Sequence, residues 1–443
     1  MKKFCTSTKE LAISSAGIIV MACLLIYWWT RDNTANIAGH IAAVAVVLLF
    51  CLLCIPFVHK WIEFWDSDFK ESVINKEAKT STLLMIFCSI TLTSLMFYLV
   101  VYEIRMWLGD TATLSESFGF YINLDTGNYL GIAEYLYDLS APAAPERIVF
   151  YPGYPFLVRA VAAFTGNYLL SAVLVSVLFY SASGCMLYKL LLLDYDHSQA
   201  IGAVKYMALL PGGFFFAFPL SESLFIFFCI TSIYCARVEK YFLSGAVGAL
   251  AAFTRSLGVL LVAPIIFEVF PNKEKRVGGF LAACIVPLGT ISYLLINYIA
   301  AGDPLAFQMY ESSHWGQEFG LFFGTAAYQM DNALADLQTD YYTASLGIWI
   351  PNLAWCFFSL ILMTFATRRI RASYSVYYIA YYVFAIAPTF LISAPRYLVA
   401  CLSIYPALAE LCRYKKIDRI LSILCILASL YYIFAFANLW DVY

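Results

Sequence analysis

Residues 37–58 read IAGHIAAVAVVLLFCLLCIPFV, and this run decides the class of the chain. It contains no Asp, Glu, Lys or Arg. A helix crosses the hydrocarbon of a bilayer in about 20 predominantly apolar residues. There it satisfies its own backbone hydrogen bonds, as hydrocarbon demands. Runs of the same kind lie on both sides, at 11–29, 82–107, 168–193, 200–219, 222–236, 241–253, 256–270, 277–300, 346–366, 373–392, 397–412 and 420–438. The expectation is an all-α integral membrane bundle of about 13 transmembrane helices.

The rest of the composition agrees. Of 443 residues, 62% are hydrophobic and 13% charged, and the mean hydropathy is +0.77. Soluble domains carry roughly 25% charged residues, so lipid is the expected solvent. A net charge of −2 supplies no basic field for nucleic acid. Aromatics reach 18%. Tyr and Trp favour membrane interfaces and line sites that hold sugars or lipids. Of the 13 cysteines, Cys23, Cys51, Cys54, Cys88, Cys185, Cys229, Cys284 and Cys425 lie in apolar runs, and the polar stretches 109–155 and 301–345 hold none. Packing is the expectation for them, with no metal and no cofactor. Lys2, Lys3 and Lys9 precede the first run without a small-residue cleavage site, which reads as a retained anchor.

Lys and Arg set the orientation. Lys2, Lys3, Lys60, Lys70, Lys76, Lys79, Arg237, Lys240, Lys273, Lys275, Arg276, Arg368, Arg369, Arg371, Arg413, Lys415, Lys416 and Arg419 all fall on one side of these spans, expected to be cytoplasmic. Loops 109–167 and 301–345 then face outward, with the turns at Leu220–Ser221, Thr254–Arg255 and Ala394–Arg396. Pro211, Gly212, Gly213, Pro219, Arg255 and Pro264 interrupt the runs between 200 and 270. Such breaks are tolerated only where backbone is buried in protein or lines a cavity. A functional cavity is expected beside them. Residues 1–81 read as a two-helix extension, 82–412 as a core and 413–443 as a final helix.

The chemistry is sought on the outer side. From Tyr129, apolar positions recur at Ile132, Ala133, Leu136 and Tyr137, the spacing of a short interfacial helix. Asp125 stands just ahead of it, either as an N-cap or as a catalytic base at the lipid boundary. Phe150-Tyr151-Pro152-Gly153-Tyr154-Pro155 reads as a stiff turn leading into a helix. Ser221 and Glu222 open an apolar run, as cap and dipole partner or as the polar wall of a cavity. Arg255 lies between two short apolar segments, and Arg396 follows Pro395 at another outer turn. Guanidinium groups match phosphate oxygens in two-pronged geometry. Two of them on the outer side suit a lipid-linked phosphate. In loop 301–345, His314 and Trp315 stand together.

Six pieces occur in order: Leu124-Asp125-x-x-Asn128-Tyr129-x-x-Ile132-Ala133-Glu134, Phe150-Tyr151-Pro152-x-Tyr154-Pro155, Ser221-Glu222-Ser223-Leu224-Phe225, Thr254-Arg255-x-x-Gly258, Gly302-Asp303-Pro304-Leu305-Ala306-Phe307 and Pro395-Arg396-Tyr397. Together, over roughly residues 90–412, they resemble the GPI mannosyltransferase II family of polytopic GT-C glycosyltransferases, which includes prokaryotic relatives. The resemblance implies a GT-C-like bundle with short interfacial helices in an outer-face loop. It implies inverting transfer of mannose from a polyprenyl-phosphate-mannose donor to a lipid or glycan acceptor at the non-cytoplasmic face. The family's Trp-Asp acid falls on Asp125, with Leu124 in place of the Trp and Asn128-Tyr129 in place of His-Tyr or His-Phe. Asn128, Tyr129, Tyr151, Tyr154, Glu222, Arg255, His314 and Arg396 are the expected substrate-binding residues around it.

Other classes stay open at this point. One is a transporter or flippase for a lipid-linked saccharide, which would also show broken spans and inward polar groups. Another is a different GT-C transfer, and a third a non-catalytic subunit on the same scaffold. The chain has no Asn-x-Ser/Thr sequon, which leans towards a prokaryotic cytoplasmic membrane over an endoplasmic-reticulum one.

Overall fold

The apolar runs fold as helices. A computed structural model describes residues 8–31, 34–66, 77–113, 116–139 and 145–443. Lys2, Lys3, Lys70 and Lys76 lie outside these described residues. The helices are α1 (Thr8–Arg31), α2 (Ile37–Asp66), α3 (Thr80–Trp107), α4 (Thr126–Tyr135), α5 (Gly153–Thr165), α6 (Tyr168–Leu191), α7 (His197–Leu209), α8 (Glu222–Arg237), α9 (Tyr241–Thr254) and α10 (Val262–Val269). They continue as α11 (Arg276–Ala283), α12 (Pro287–Ala301), α13 (Ala306–Trp315), α14 (Phe322–Asp336), α15 (Tyr342–Ala344), α16 (Ile350–Ala366), α17 (Ala372–Ile386), α18 (Ala394–Val399), α19 (Ile404–Cys412) and α20 (Lys415–Ala437). Among the described residues the only β pairing is an isolated bridge between Phe319 and Pro388.

Seven helices are long and apolar enough to cross a membrane: Thr8–Arg31, Ile37–Phe64, Thr80–Trp107, Tyr168–Leu191, Arg276–Ala301, Tyr342–Ala366 and Lys415–Ala437. The other expected spans fold as shorter helices. The chain breaks where Pro and Gly remove donors or helical dihedrals. After α7, Gly212 takes φ 90° and a 3-10 turn covers Gly213–Phe216. Carbonyls freed by this break find side-chain donors. Trp355 Nε1 donates to Pro211 O at 3.0 Å, Tyr98 OH to Ala217 O at 2.9 Å and Thr126 Oγ1 to Pro219 O at 3.2 Å. Irregular backbone inside the bundle persists because its polar groups are satisfied by protein.

The stretch 301–345 is less of a loop than its polar residues suggested. It contains α13 and α14. Phe322, Phe323, Ala326 and Ala327 of α14 are buried, and α14 packs along α2. Asp331 of α14 accepts from Asn36 N at 2.8 Å and Gly39 N at 3.1 Å, filling orphan donors at the start of α2. α2 also packs against α16 and α17.

The centre is formed by α6, α8, α9, α17 and α19, with α3, α7 and α12 around them. Three of its buried tyrosines have bonded hydroxyls: Tyr180 to Met207 O at 2.9 Å, Tyr378 to Ser359 Oγ at 2.9 Å and Tyr381 to Tyr397 O at 2.8 Å, whereas Tyr382 OH is buried with no hydrogen-bond partner among the described residues. α8 has 16 residues, a rod of roughly 24 Å at 1.5 Å per residue. A buried ion cluster lies at each end. At its C-terminal end, Arg237 grips Asp194 at 2.7 and 2.8 Å, and Arg371 grips Glu268 at 3.1 Å through both nitrogens. The sequence showed Arg237 and Arg371 only as markers of orientation. The second cluster surrounds Glu222.

Candidate active site

Four chain breaks converge on Glu222. α4 begins after Asp125, α8 after Ser221, α9 ends at Thr254, and α18 starts at Ala394. Glu222 is the first residue of α8, and its side chain is fully buried. Its Oε1 accepts from Arg255 Nη1 at 2.7 Å and Arg396 Nε at 2.8 Å, and forms an ion pair with Arg396 Nη2 at 2.7 Å. Its Oε2 is buried and has no hydrogen-bond partner among the described residues. Arg396 Nη2 also reaches Asp125 Oδ2 at 2.7 Å. The Arg396 side chain is 3% exposed, that of Asp125 33%. Two buried cations and two carboxylates thus form one chain of charge-assisted contacts, of which Asp125 is the solvent-facing end.

Backbone geometry sets each member. Leu124 carries φ 56°, a left-handed conformation that costs a branched residue about 1–2 kcal/mol. Asn123 Oδ1 supports it by accepting from Leu124 N at 2.8 Å. Strain of this kind persists where the surroundings over-determine it, and here it directs the next residue, Asp125. Arg255 is extended, with φ −152° and ψ 148°, immediately after α9. Gly258 lets the following turn fold back on α9, because a Cβ there would fall into the backbone of Ala251 and Ala252. A Cβ at Gly153 would lie 2.9 Å from Thr254 Cα. The Tyr151-Pro152-Gly153 turn therefore packs directly on the break that presents Arg255.

Two cap assignments are corrected. Asp125 and Ser221 occupy N-cap positions, yet neither side chain makes a cap hydrogen bond. Their oxygens have stronger partners. Asp125 takes Arg396, while Ser221 Oγ lies 2.9 Å from Tyr129 OH and accepts from Arg255 Nη1 at 3.0 Å. A guanidinium, as a charged donor, outcompetes a backbone N–H for the Asp125 carboxylate and for the Ser221 hydroxyl oxygen alike.

Tyr129 joins the cluster through Ser221 and is buried. Tyr154 supports it from behind, with ring centroids 5.3 Å apart. The Tyr154 hydroxyl is committed to Ala172 O at 3.0 Å and Ser176 Oγ at 2.9 Å. Tyr151 stacks on Tyr293 at 3.9 Å. Asn128 is half-buried on α4, with no side-chain hydrogen bond among the described residues. His314 is exposed on α13 beside Trp315, whose ring lies 6.2 Å from Phe150, and Phe150 is 5.6 Å from Tyr129. His314 has no contact with the ion cluster. Glu311, on the same helix, is a half-buried carboxyl that burial pushes up. Burial also raises the Tyr151 hydroxyl, and the charge of Glu311 adds to that rise.

The sequence reading missed Ser221 as a site residue, and with it two aromatic faces. The Arg255 guanidinium carbon lies 5.0 Å from the Tyr397 ring centroid, and that of Arg396 lies 5.7 Å from Phe215. Tyr397 was visible as the residue after Arg396. Phe215 had no local signal in an apolar run. Among the described residues, no group of three or more His, Cys, Asp or Glu side chains converges to hold a metal.

No family model matches the chain, and no curated protein matches it. Among solved structures it is similar to an oligosaccharyltransferase of Archaeoglobus fulgidus. The apo form is 13% identical with a TM-score of 0.44, over 82% of this chain and 56% of that one. The protein named AglB, solved with an inhibitory peptide and a dolichol-phosphate, is 12% identical with a TM-score of 0.42, over 80% and 55%. The chain spans about half the length of these structures.

Proposed function

We propose that this chain is a membrane glycosyltransferase. It moves a sugar, mannose by the sequence resemblance, from a polyprenyl-phosphate-linked donor to a lipid or glycan acceptor. The site faces the non-cytoplasmic side of a membrane, the prokaryotic cytoplasmic membrane by the sequon count, and residues 82–412 form its catalytic core. One observation carries the proposal: a partly exposed carboxylate, Asp125, stands at the open end of a buried pair of guanidinium groups. That juxtaposition is a base beside an anion site.

The chemistry balances on these groups. The acceptor oxygen attacks the anomeric carbon, and its proton passes to Asp125. The bond from that carbon to the phosphate oxygen breaks, and its electron pair stays with the lipid phosphate. Arg255 and Arg396 meet the charge that develops there, already oriented and mostly out of water. Arg255 contributes hydrogen bonds to protein through Nη1 alone among the described residues, leaving its other donors for phosphate oxygens. An apolar hollow for a lipid tail lies near the site, behind the rings of Phe215 and Tyr432. The hollow, of about 380 Å³ between α16 and α20, is lined by Leu210, Pro211, Trp355 and Tyr432 among others. Tyr432 lies 6.0 Å from Phe215, the ring beneath Arg396.

The test is transfer in detergent. Purified protein is supplied with polyprenyl-phosphate-mannose and candidate lipid acceptors, and compared with Asp125→Asn. Loss of a general base lowers turnover by about 10²–10⁴-fold. Turnover equal to wild type removes Asp125 as the base. No turnover with any sugar-phosphate lipid favours a flippase.

A further inference from the structure

The ion cluster is already balanced in charge without a substrate. Arg255 and Arg396 are balanced by Glu222 and Asp125. A lipid phosphodiester brings one more negative charge into this neutral set. Glu222 cannot yield, because it is fully buried and held by both arginines. Asp125 can. It is the most exposed member, at 33%, and its tie to the cluster is a single guanidinium nitrogen of Arg396. It also stands outside α4, at the end of a turn, with no side-chain cap bond to keep it there.

We infer that the donor phosphate displaces Asp125 from Arg396, so that the substrate itself releases the catalytic base. This rests on the reading of the site as a transferase using a lipid-linked sugar phosphate. Paired with Arg396, the Asp125 Oδ2 is occupied by a guanidinium N–H at 2.7 Å and is not open to an acceptor hydroxyl. Exchanged for phosphate, its carboxylate is free of that contact and open to the acceptor hydroxyl. The charged groups around it are then Arg396 from α18, Glu222 from α8, Arg255 from the end of α9 and the phosphate itself. The base is freed only when a donor is present.

The same exchange run backwards clears the product. After transfer, Asp125 holds the acceptor proton and is neutral, and the lipid phosphate has gained one negative charge. Once Asp125 loses its proton to water, it again competes for Arg396 Nη2. The re-formed pair expels the lipid phosphate.

The experiment measures binding of a short-chain polyprenyl monophosphate to the full-length protein in detergent. Wild type, Asp125→Asn and Glu134→Gln are compared, with thermal stability recorded for each. Glu134 is exposed on α4 and has no contact with Arg396. Its substitution removes the same charge roughly 13 Å along the same segment. Asn cannot compete for the guanidinium as a charged group, so Asp125→Asn binds about ten- to a hundredfold more tightly than wild type. Glu134→Gln stays within about twofold, because that distance exceeds the screening length. Equal or weaker binding by Asp125→Asn overturns the exchange, and so does an equal gain from Glu134→Gln. A structure with the phosphate bound gives the second readout: the Asp125–Arg396 contact is broken if the inference holds and intact if it fails. When wild type transfers sugar but Asp125→Asn shows no gain in binding, the transferase stands and the exchange falls. When neither protein binds the lipid phosphate, both fall.

Discussion

Glu222→Gln tests whether the ion cluster acts as one energetic unit. The substitution keeps the shape of the side chain and an oxygen acceptor, and removes one charge. In the native protein that charge faces Arg255 Nη1 at 2.7 Å, Arg396 Nε at 2.8 Å and Arg396 Nη2 at 2.7 Å. Charge-assisted hydrogen bonds contribute about 1.5–3 kcal/mol each, but their sum overstates the loss, since the amide oxygen still accepts. The larger effect is that two buried guanidinium groups now share Asp125 alone. Breaking a buried pair by removing one partner costs about 3–5 kcal/mol. The retained acceptor puts the variant at the low end, about 3 kcal/mol. Equilibrium unfolding in mixed micelles reads this directly. Adding Arg255→Gln restores the balance of charge and recovers part of the loss, with a coupling of about 1–3 kcal/mol. A single-variant cost under about 1 kcal/mol would refute the reasoning: the guanidinium groups would then be hydrated, and Glu222 would not hold them. Strict additivity in the double variant would refute it equally.

Three further outcomes follow from the same geometry. Gly153→Ala forces its Cβ against Thr254 Cα; about 1–3 kcal/mol of stability is lost by overpacking, measured by the same unfolding, and an unchanged midpoint shows that α5 and the Thr254 break are not in register. Arg255→Lys keeps the charge and loses the planar fork, so kcat for transfer falls about tenfold or more while the fold is retained; equal kcat means that the fork is not used on the phosphate. Burial holds the Glu311 carboxyl above its ordinary 4.5, so the folded chain binds that proton more tightly than the unfolded one; its contribution is present below about pH 4.5 and is lost as pH rises through the raised value, and Glu311→Gln flattens that acid-range slope, whereas an unchanged slope assigns it to other groups.

What the sequence disclosed depended on range. Ile37–Val58 announces a helix in lipid by length and composition alone, and α2 is that helix. The breaks were equally local: Pro211, Gly212 and Arg255 interrupt apolar runs, and backbone at membrane depth must then find partners. Asp125 and Arg396 are 271 residues apart, and no spacing rule joins them. The caps were misjudged for a related reason. Position fixed Asp125 and Ser221 at helix starts correctly, but whether an oxygen caps depends on what else reaches it, and here two guanidinium groups do. Stretch 301–345 looked like a loop because Glu318, Asp331 and Asp336 interrupt it. The burial of Phe322 and Phe323 against α2 is tertiary, and local polarity does not report it.

The two ion clusters at the ends of α8 differ in a way that bears on their work. At the C-terminal end, Arg237 and Arg371 each grip a carboxylate with two nitrogens, and the four side chains are at most 16% exposed. Every strong donor there meets an acceptor, so the cluster ties α6, α8, α10 and α17 together and has little capacity for a guest. Around Glu222 the arrangement is less satisfied. One Glu222 oxygen is buried with no partner among the described residues, Arg255 uses one nitrogen, and Asp125 opens to solvent. Leaving a buried polar atom unmatched costs about 1–3 kcal/mol. The closed end stabilises the scaffold, and at the other end the Arg255 donors not bonded to protein are the groups with capacity for an anion. Once the donor phosphate is seated, groups preorganised in this way need no further rearrangement when charge develops on it. On the proposed reading the incompletely paired end is where transfer takes place, and Asp125, the more exposed of its two carboxylates, is the one placed to take the proton once it leaves Arg396.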